Sequence, residues 1–173
     1  MIIYLLRHGI AVDRDAAGVS SDAERQLTGK GVGRIERETS GMRLLGIEPD
    51  HIFTSPLIRA QETARIVADK YDGEIDVTVT DALAPGRGFG APLDDQSPVV
   101  ALLRQSELES AMLVGHEPDF SQLASLLLTG ALNLNLELKK GGLCAIDVQD
   151  PLRSHKNSLL WLLAPKQLRS VRA

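Results

Sequence analysis

Aromatic residues are scarce in this chain, at 3% of 173 positions, and positive charge is not in excess, the formal net charge being −4. Proteins that grip nucleic acid ordinarily carry a basic stripe or stacking rings, so that class is set aside. Cysteine occurs once, as Cys144. A single cysteine closes no internal disulfide, and read as a small buried hydrophobe it fits a reducing compartment. No stretch approaches the ~20 apolar residues that cross a bilayer; Leu123–Leu128 is brief and includes Ser125. The apolar opening Ile2–Leu6 is too short for a signal-peptide core, and no small-residue cleavage site follows it. Neither nucleic acid nor membrane is expected as a partner, and the cytoplasm is the expected location. Also missing are an H-x-E-x-H pattern, paired cysteines and a carboxylate triplet at ligand spacing. No metal and no other cofactor is therefore expected.

What is present is enough for a core. Hydrophobic residues make up 43% of the chain, and the length suits one domain over residues 1–173. The run Ile2–Leu6 is continuously apolar and rich in β-formers, as a strand covered on both faces of a parallel sheet would be. Ala111–Val114 reads the same way, and shorter strands are expected at His51–Thr54, Asp76–Thr80, Leu143–Val148 and Ser158–Leu163. Helices are expected from Thr28, with Val32, Ile35, Met42 and Leu45 as an apolar face, and over Leu57–Tyr71, with Ala60, Ala64 and Val67 as its stripe. Two more are expected, from Ser97-Pro98 to Leu103 and from Asp119 to Leu128. Gly31, Gly33 and Gly41 weaken the first of these helices, each by about 1 kcal/mol relative to Ala. Ser55-Pro56 and Ser97-Pro98 each read as an N-cap followed by proline at the first helical position. Residues 13–26 and 81–97 are expected to be loops, and Lys166–Arg172 a solvated basic end. Strands alternating with helices imply a three-layer α/β/α sandwich around a mostly parallel central sheet.

In such sheets ligands bind beyond the carboxyl ends of the strands. Arg7 and His8 follow the first strand, Arg59 opens the helix after Ser55-Pro56, and His116 follows Ala111–Val114. Taken singly, each has a plain reading: a polar strand exit, a solvated helix charge, a satisfied structural histidine. His51, His155 and Cys144 keep that plain reading. Together, the four place two guanidinium groups and two imidazoles at the functional edge of the sheet. An arginine fork matches two phosphoryl oxygens at once, and free N–H groups at a helix start add to the attraction. Phosphoryl transfer requires an in-line nucleophile and positive charge around three equatorial oxygens. A neutral imidazole can attack and form a phosphoramidate, while a second, protonated imidazole would stabilise the equatorial charge. Position alone does not choose between His8 and His116 as the attacking group.

The four groups also sit in recognisable strings. Leu6-Arg7-His8-Gly9, Leu27-Thr28-Gly29-Lys30-Gly31, Thr54 to Ala64 and Val114-Gly115-His116-Glu117-Pro118 resemble, in order, four motifs of the histidine phosphatase (phosphoglycerate mutase-like) superfamily. The short length, the Arg7–Ala11 opening and Leu83-Ala84-Pro85-Gly86 are most similar to its SixA-like branch of phosphohistidine phosphatases. The resemblance implies that His8 is the nucleophile and that Arg7, Arg59 and His116 form the phosphate pocket. It implies a phosphorylated protein (phosphohistidine) as substrate, or else a small phosphorylated compound.

One departure bears on the choice. Mutases and many broad phosphatases of the superfamily place a general-acid glutamate in the region corresponding to residues 80–90, where this chain has none. Asp81 is the nearest carboxylate and the candidate acid. An alkoxide leaving group gains about 10²–10⁴-fold from proton donation, whereas a phosphoimidazole can leave as neutral imidazole. The missing glutamate therefore favours phosphohistidine over an ester. Two alternatives stand beside this reading: an ester phosphatase using Asp81 or Glu117 as acid, and a non-catalytic module that binds phosphate or phosphohistidine.

Overall fold

The computed structural model describes residues 1–86, 93–105 and 108–172. Its elements run β1 (Ile2–Arg7), α1 (Gly29–Leu44), β2 (His51–Thr54), α2 (Ile58–Lys70), β3 (Asp76–Val79) and α3 (Pro98–Gln105). They continue with β4 (Ser110–Gly115), α4 (Asp119–Thr129), β5 (Leu143–Asp147), β6 (Ser158–Leu163) and α5 (Pro165–Ser170). The six strands form one sheet in the order β3-β2-β4-β1-β5-β6. The first four are mutually parallel, and β5 and β6 are added antiparallel.

The continuous apolar runs have the cause inferred for them. Along β1, Ile3 and Leu5 face one core with α3 and α4, while Tyr4 and Leu6 face the other with α1, α2 and α5. In β4, Ala111 and Leu113 alternate with Met112 and Val114 in the same way. A strand sandwiched between two helix layers has no polar face to show. The edge strand β3 is exposed along its length.

Three expectations are corrected. Helix α2 begins at Ile58 with Leu57 as its cap, not at Ser55-Pro56; Ser55 is instead held by its N–H donating to the Val114 carbonyl at 3.0 Å. Leu45 is not part of the α1 face, being 48% exposed at the helix end. The basic C-terminal segment is not a loose end: it forms α5 and buries Leu168 against α1.

The glycines of α1 explain part of this. A Cβ on Gly41 would lie 2.0 Å from the Leu168 carbonyl oxygen, and one on Gly31 would lie 2.1 Å from that of Ile10. Both positions trade helix propensity for the close passage of another segment. Of the loop expected over 81–97, the start is a 3₁₀ turn at Asp81–Leu83, and 87–92 lie outside the described residues.

Candidate active site

Strand register builds the site. Arg7 pairs with Gly115 across β1 and β4, and Thr54 pairs with Val114 across β2 and β4. His8, Ser55 and His116 therefore leave the sheet side by side at its carboxyl edge. Backbone bonds fix the exits: the His8 N–H donates to the Gly115 carbonyl at 3.0 Å. The Gly9 N–H donates to Thr63 Oγ1 at 3.1 Å, and that hydroxyl donates to the Arg59 carbonyl at 2.7 Å. The turn carrying His8 is thus tied to the helix carrying Arg59.

His8 is 5% exposed. Its Nδ1 lies 2.7 Å from the Gly9 carbonyl oxygen, which can only accept, so Nδ1 carries the hydrogen. The other nitrogen, Nε2, then presents a lone pair and accepts from Arg59 Nε at 3.2 Å. Burial, the neighbouring His116 and the two arginines push the His8 pKa down to about 3, against the Gly9 hydrogen bond. The ring is neutral near pH 7.

The His116 ring centroid lies 5.0 Å from that of His8. Its Nε2 is 2.8 Å from Ser55 Oγ, an oxygen that accepts from the Leu57 N–H at 3.3 Å and can donate its own hydrogen to the ring, while Nδ1 is buried with no partner among the described residues. Burial and then Arg59 push its pKa down to about 4. With the ring desolvated beside two guanidinium groups, the neutral form is favoured. An arriving phosphoryl dianion acts in the opposite direction.

Arg7 donates through Nη1 to the Leu138 carbonyl at 2.9 Å and keeps a buried Nε without a partner among the described residues. Arg59 has a second neighbour besides His8. Its Nη1 donates to the Asp22 carbonyl at 2.7 Å and its Nη2 to the Asp22 carboxylate at 2.9 Å. Burial alone would raise the Asp22 carboxyl, but the hydrogen bond and charge of Arg59, with Arg25 and Arg14, hold it below its ordinary value. Asp22 was missed by sequence reasoning, which took residues 13–26 as an exposed loop.

All four expected residues, Arg7, His8, Arg59 and His116, come together. Asp81 is exposed at the start of its 3₁₀ turn, and its carboxylate makes no hydrogen bond or ion pair with a described residue. Glu117 is better placed to hold a proton. Burial raises its pKa against the pull of Ser121 and Arg7, and its Oε1 is buried with no partner among the described residues. His51 contacts Thr78 on the exposed sheet edge, and Cys144 is buried in β5 with its thiol pushed up to about 12.

The sequence pattern of the histidine phosphatase superfamily (branch 1) matches residues 3–85. The uncharacterized protein SYNPCC7002_A2622 of Picosynechococcus sp. is 35% identical over 97% of this chain and 99% of its own. A shorter stretch, 56% of the chain, is 37% identical to the mitochondrial serine/threonine-protein phosphatase Pgam5 of Drosophila melanogaster and spans 31% of that protein. Among solved structures, the protein histidine phosphatase SixA complexed with tungstate superimposes with a TM-score of 0.77 at 20% identity, covering 97% of this chain and 99% of that one. The alpha-ribazole phosphatase of Shigella flexneri gives 0.71 at 18% identity, covering 95% and 97%.

Proposed function

Because the chain belongs to the histidine phosphatase superfamily, we propose that it dephosphorylates phosphohistidine on a partner protein, with His8 as the covalent acceptor. The observation that carries the reading is the state of His8. It is a neutral imidazole whose Nδ1–H is bound to the Gly9 carbonyl and whose Nε2 lone pair lies against Arg59.

In the first step the Nε2 lone pair attacks phosphorus. A new P–N bond forms as the substrate's own P–N bond breaks, and the substrate imidazole leaves with its proton on the distal nitrogen. As the lone pair is used, the Arg59 Nε–H loses its acceptor and becomes free to bind a phosphoryl oxygen. The Arg7 Nε and the His116 Nδ1, both without partners among the described residues, supply further contacts to the equatorial oxygens. Fixed donors of this kind are effective because they need no reorganisation during reaction. In the second step water attacks the phosphorus of phosphorylated His8, inorganic phosphate departs and the imidazole is restored.

A second reading has its own support. Glu117, with its raised pKa and an Oε1 that has no partner among the described residues, is suited to protonate an alkoxide, which would make the protein an ester phosphatase; Asp81 is the other candidate acid. A lone buried thiol suits a reducing compartment, and the cytoplasm is the compartment we assign. The test has two parts. Acid-labile label should be trapped on His8 and disappear in His8→Ala. Steady-state rates should favour a phosphohistidine protein over phosphoserine and sugar phosphates; a preference for the esters overturns the substrate assignment.

A further inference from the structure

A groove of about 620 Å³ is lined by Arg7 of the site and by Arg169 on α5. Six cations line it: Arg7, Arg34, Lys139, Lys140, Lys166 and Arg169. The acid on its wall is Glu137. Such clustering stands out on a chain of net charge −4.

Some of this charge is answered locally. Lys139 lies 3.8 Å from Glu137, Arg169 is paired with the buried Glu38, and Arg7 is held by Leu138 beside the charge of Glu117. Arg34, Lys140 and Lys166 make no hydrogen bond or ion pair with any described residue. They come from three separate segments: α1, the stretch before β5, and α5. Like charges brought together across a concave wall repel one another, and an anion in the groove relieves that repulsion.

The type of cation indicates the type of anion. A single second phosphate would be gripped best by converging, buried arginine forks. Arg34 faces the buried Glu38, whose carboxyl its charge pulls down, whereas the other two, Lys140 and Lys166, are exposed lysines, mobile point charges that select for negative charge rather than for one geometry. We infer that the groove seats an acidic segment of the phosphoprotein substrate, its Asp and Glu side chains against Arg34, Lys140 and Lys166 while the phosphorylated side chain enters at Arg7. The inference rests on the proposed function and names how that site selects its partner.

The test uses synthetic peptides carrying phosphohistidine flanked by Glu, with Gln-flanked counterparts, assayed on wild type and on a Lys140→Glu/Lys166→Glu variant. The Glu peptide should exceed the Gln peptide about ten-fold in kcat/KM, the size that a few exposed ion pairs supply together. The gain should appear in KM, shrink on raising salt from about 20 to about 200 mM, and vanish in the variant, with p-nitrophenyl phosphate turnover unchanged. An unaltered Glu-to-Gln ratio in the variant overturns the inference, as does equal loss on p-nitrophenyl phosphate. So does groove dependence confined to a small bisphosphate. If phosphoserine peptides are preferred yet still depend on Glu, the phosphohistidine reading fails and the groove stands. If no peptide is turned over, anisotropy of fluorescein-labelled Glu and Gln peptides on His8→Ala decides, equal affinities counting against the groove.

Discussion

Two neutral histidines buried among arginines make stability a function of pH, with a definite sign. His8 and His116 have folded-state values near 3 and 4, against 6.5 for an ordinary imidazole. Above 6.5 both states are neutral, and the full stability is present. Below it the unfolded chain binds protons that the folded chain refuses, so stability falls with pH until the folded values are reached. At about pH 5 the gap is about 1.5 units for each ring, which at about 1.4 kcal/mol per unit is about 2 kcal/mol per histidine and about 4 for the pair. That is a large share of the 5–15 kcal/mol typical of a domain. Other groups titrate in the same window. Burial pushes the Glu38 carboxyl up to about 7 against the pull of Arg169, which acts in the opposite sense. The measurement is therefore a difference: urea unfolding at about pH 7.5 and about pH 5, for wild type, His8→Gln and His116→Gln. Each variant should lose about 2 kcal/mol less than wild type on acidification. Parallel losses in all three proteins would mean that the imidazoles are charged or solvent-relaxed in the fold, and the neutral-nucleophile argument would fail with them.

Further outcomes are expected. Arg7→Ala and Arg59→Ala should each lower turnover by about 10²–10³-fold and weaken inhibition by vanadate, which resembles the five-coordinate phosphoryl group; full vanadate sensitivity in Arg59→Ala would remove that residue from the pocket. Glu117→Gln should leave phosphohistidine turnover intact while reducing any residual ester hydrolysis, and a parallel loss on both substrates would assign Glu117 a structural role. Gly41→Ala places a methyl 2.0 Å from the Leu168 carbonyl oxygen, so α5 must shift. A loss of about 1–3 kcal/mol in urea unfolding is expected, and unchanged stability would refute the close passage.

Much of the site was legible because its members lie at punctuated places. β1 and β4 announce themselves as apolar runs, and the residues that follow such runs in an α/β sheet are the ones that meet ligand. The strand-to-helix turn likewise located Arg59, although the cap itself was misread by two residues. Ser-Pro is a sound local start signal, but here the serine is drawn into the sheet by Val114 and toward His116. Asp22 gave no such signal. It is one acid among several in a polar loop, and only a contact 37 residues along the chain distinguishes it. The groove was hidden for the same reason: Arg34, Lys140 and Lys166 are unremarkable in their own neighbourhoods and acquire meaning only when three segments fold together. The C-terminal helix looked like a solvated end because its anchor is one leucine crossing one glycine, a pairing no local periodicity reveals.

The carbonyl of Gly9, by occupying one corner of the His8 ring, decides more than a protonation state. Phosphohistidine exists as two regioisomers, one for each ring nitrogen, and the corner facing Gly9 has room for a hydrogen only. A phosphoryl group trapped on this protein should therefore be the 3-isomer alone, which ³¹P NMR of the denatured, labelled chain would resolve from the 1-isomer. With His8 as the proposed acceptor, one backbone oxygen would thus fix the regiochemistry of the adduct on the neighbouring residue.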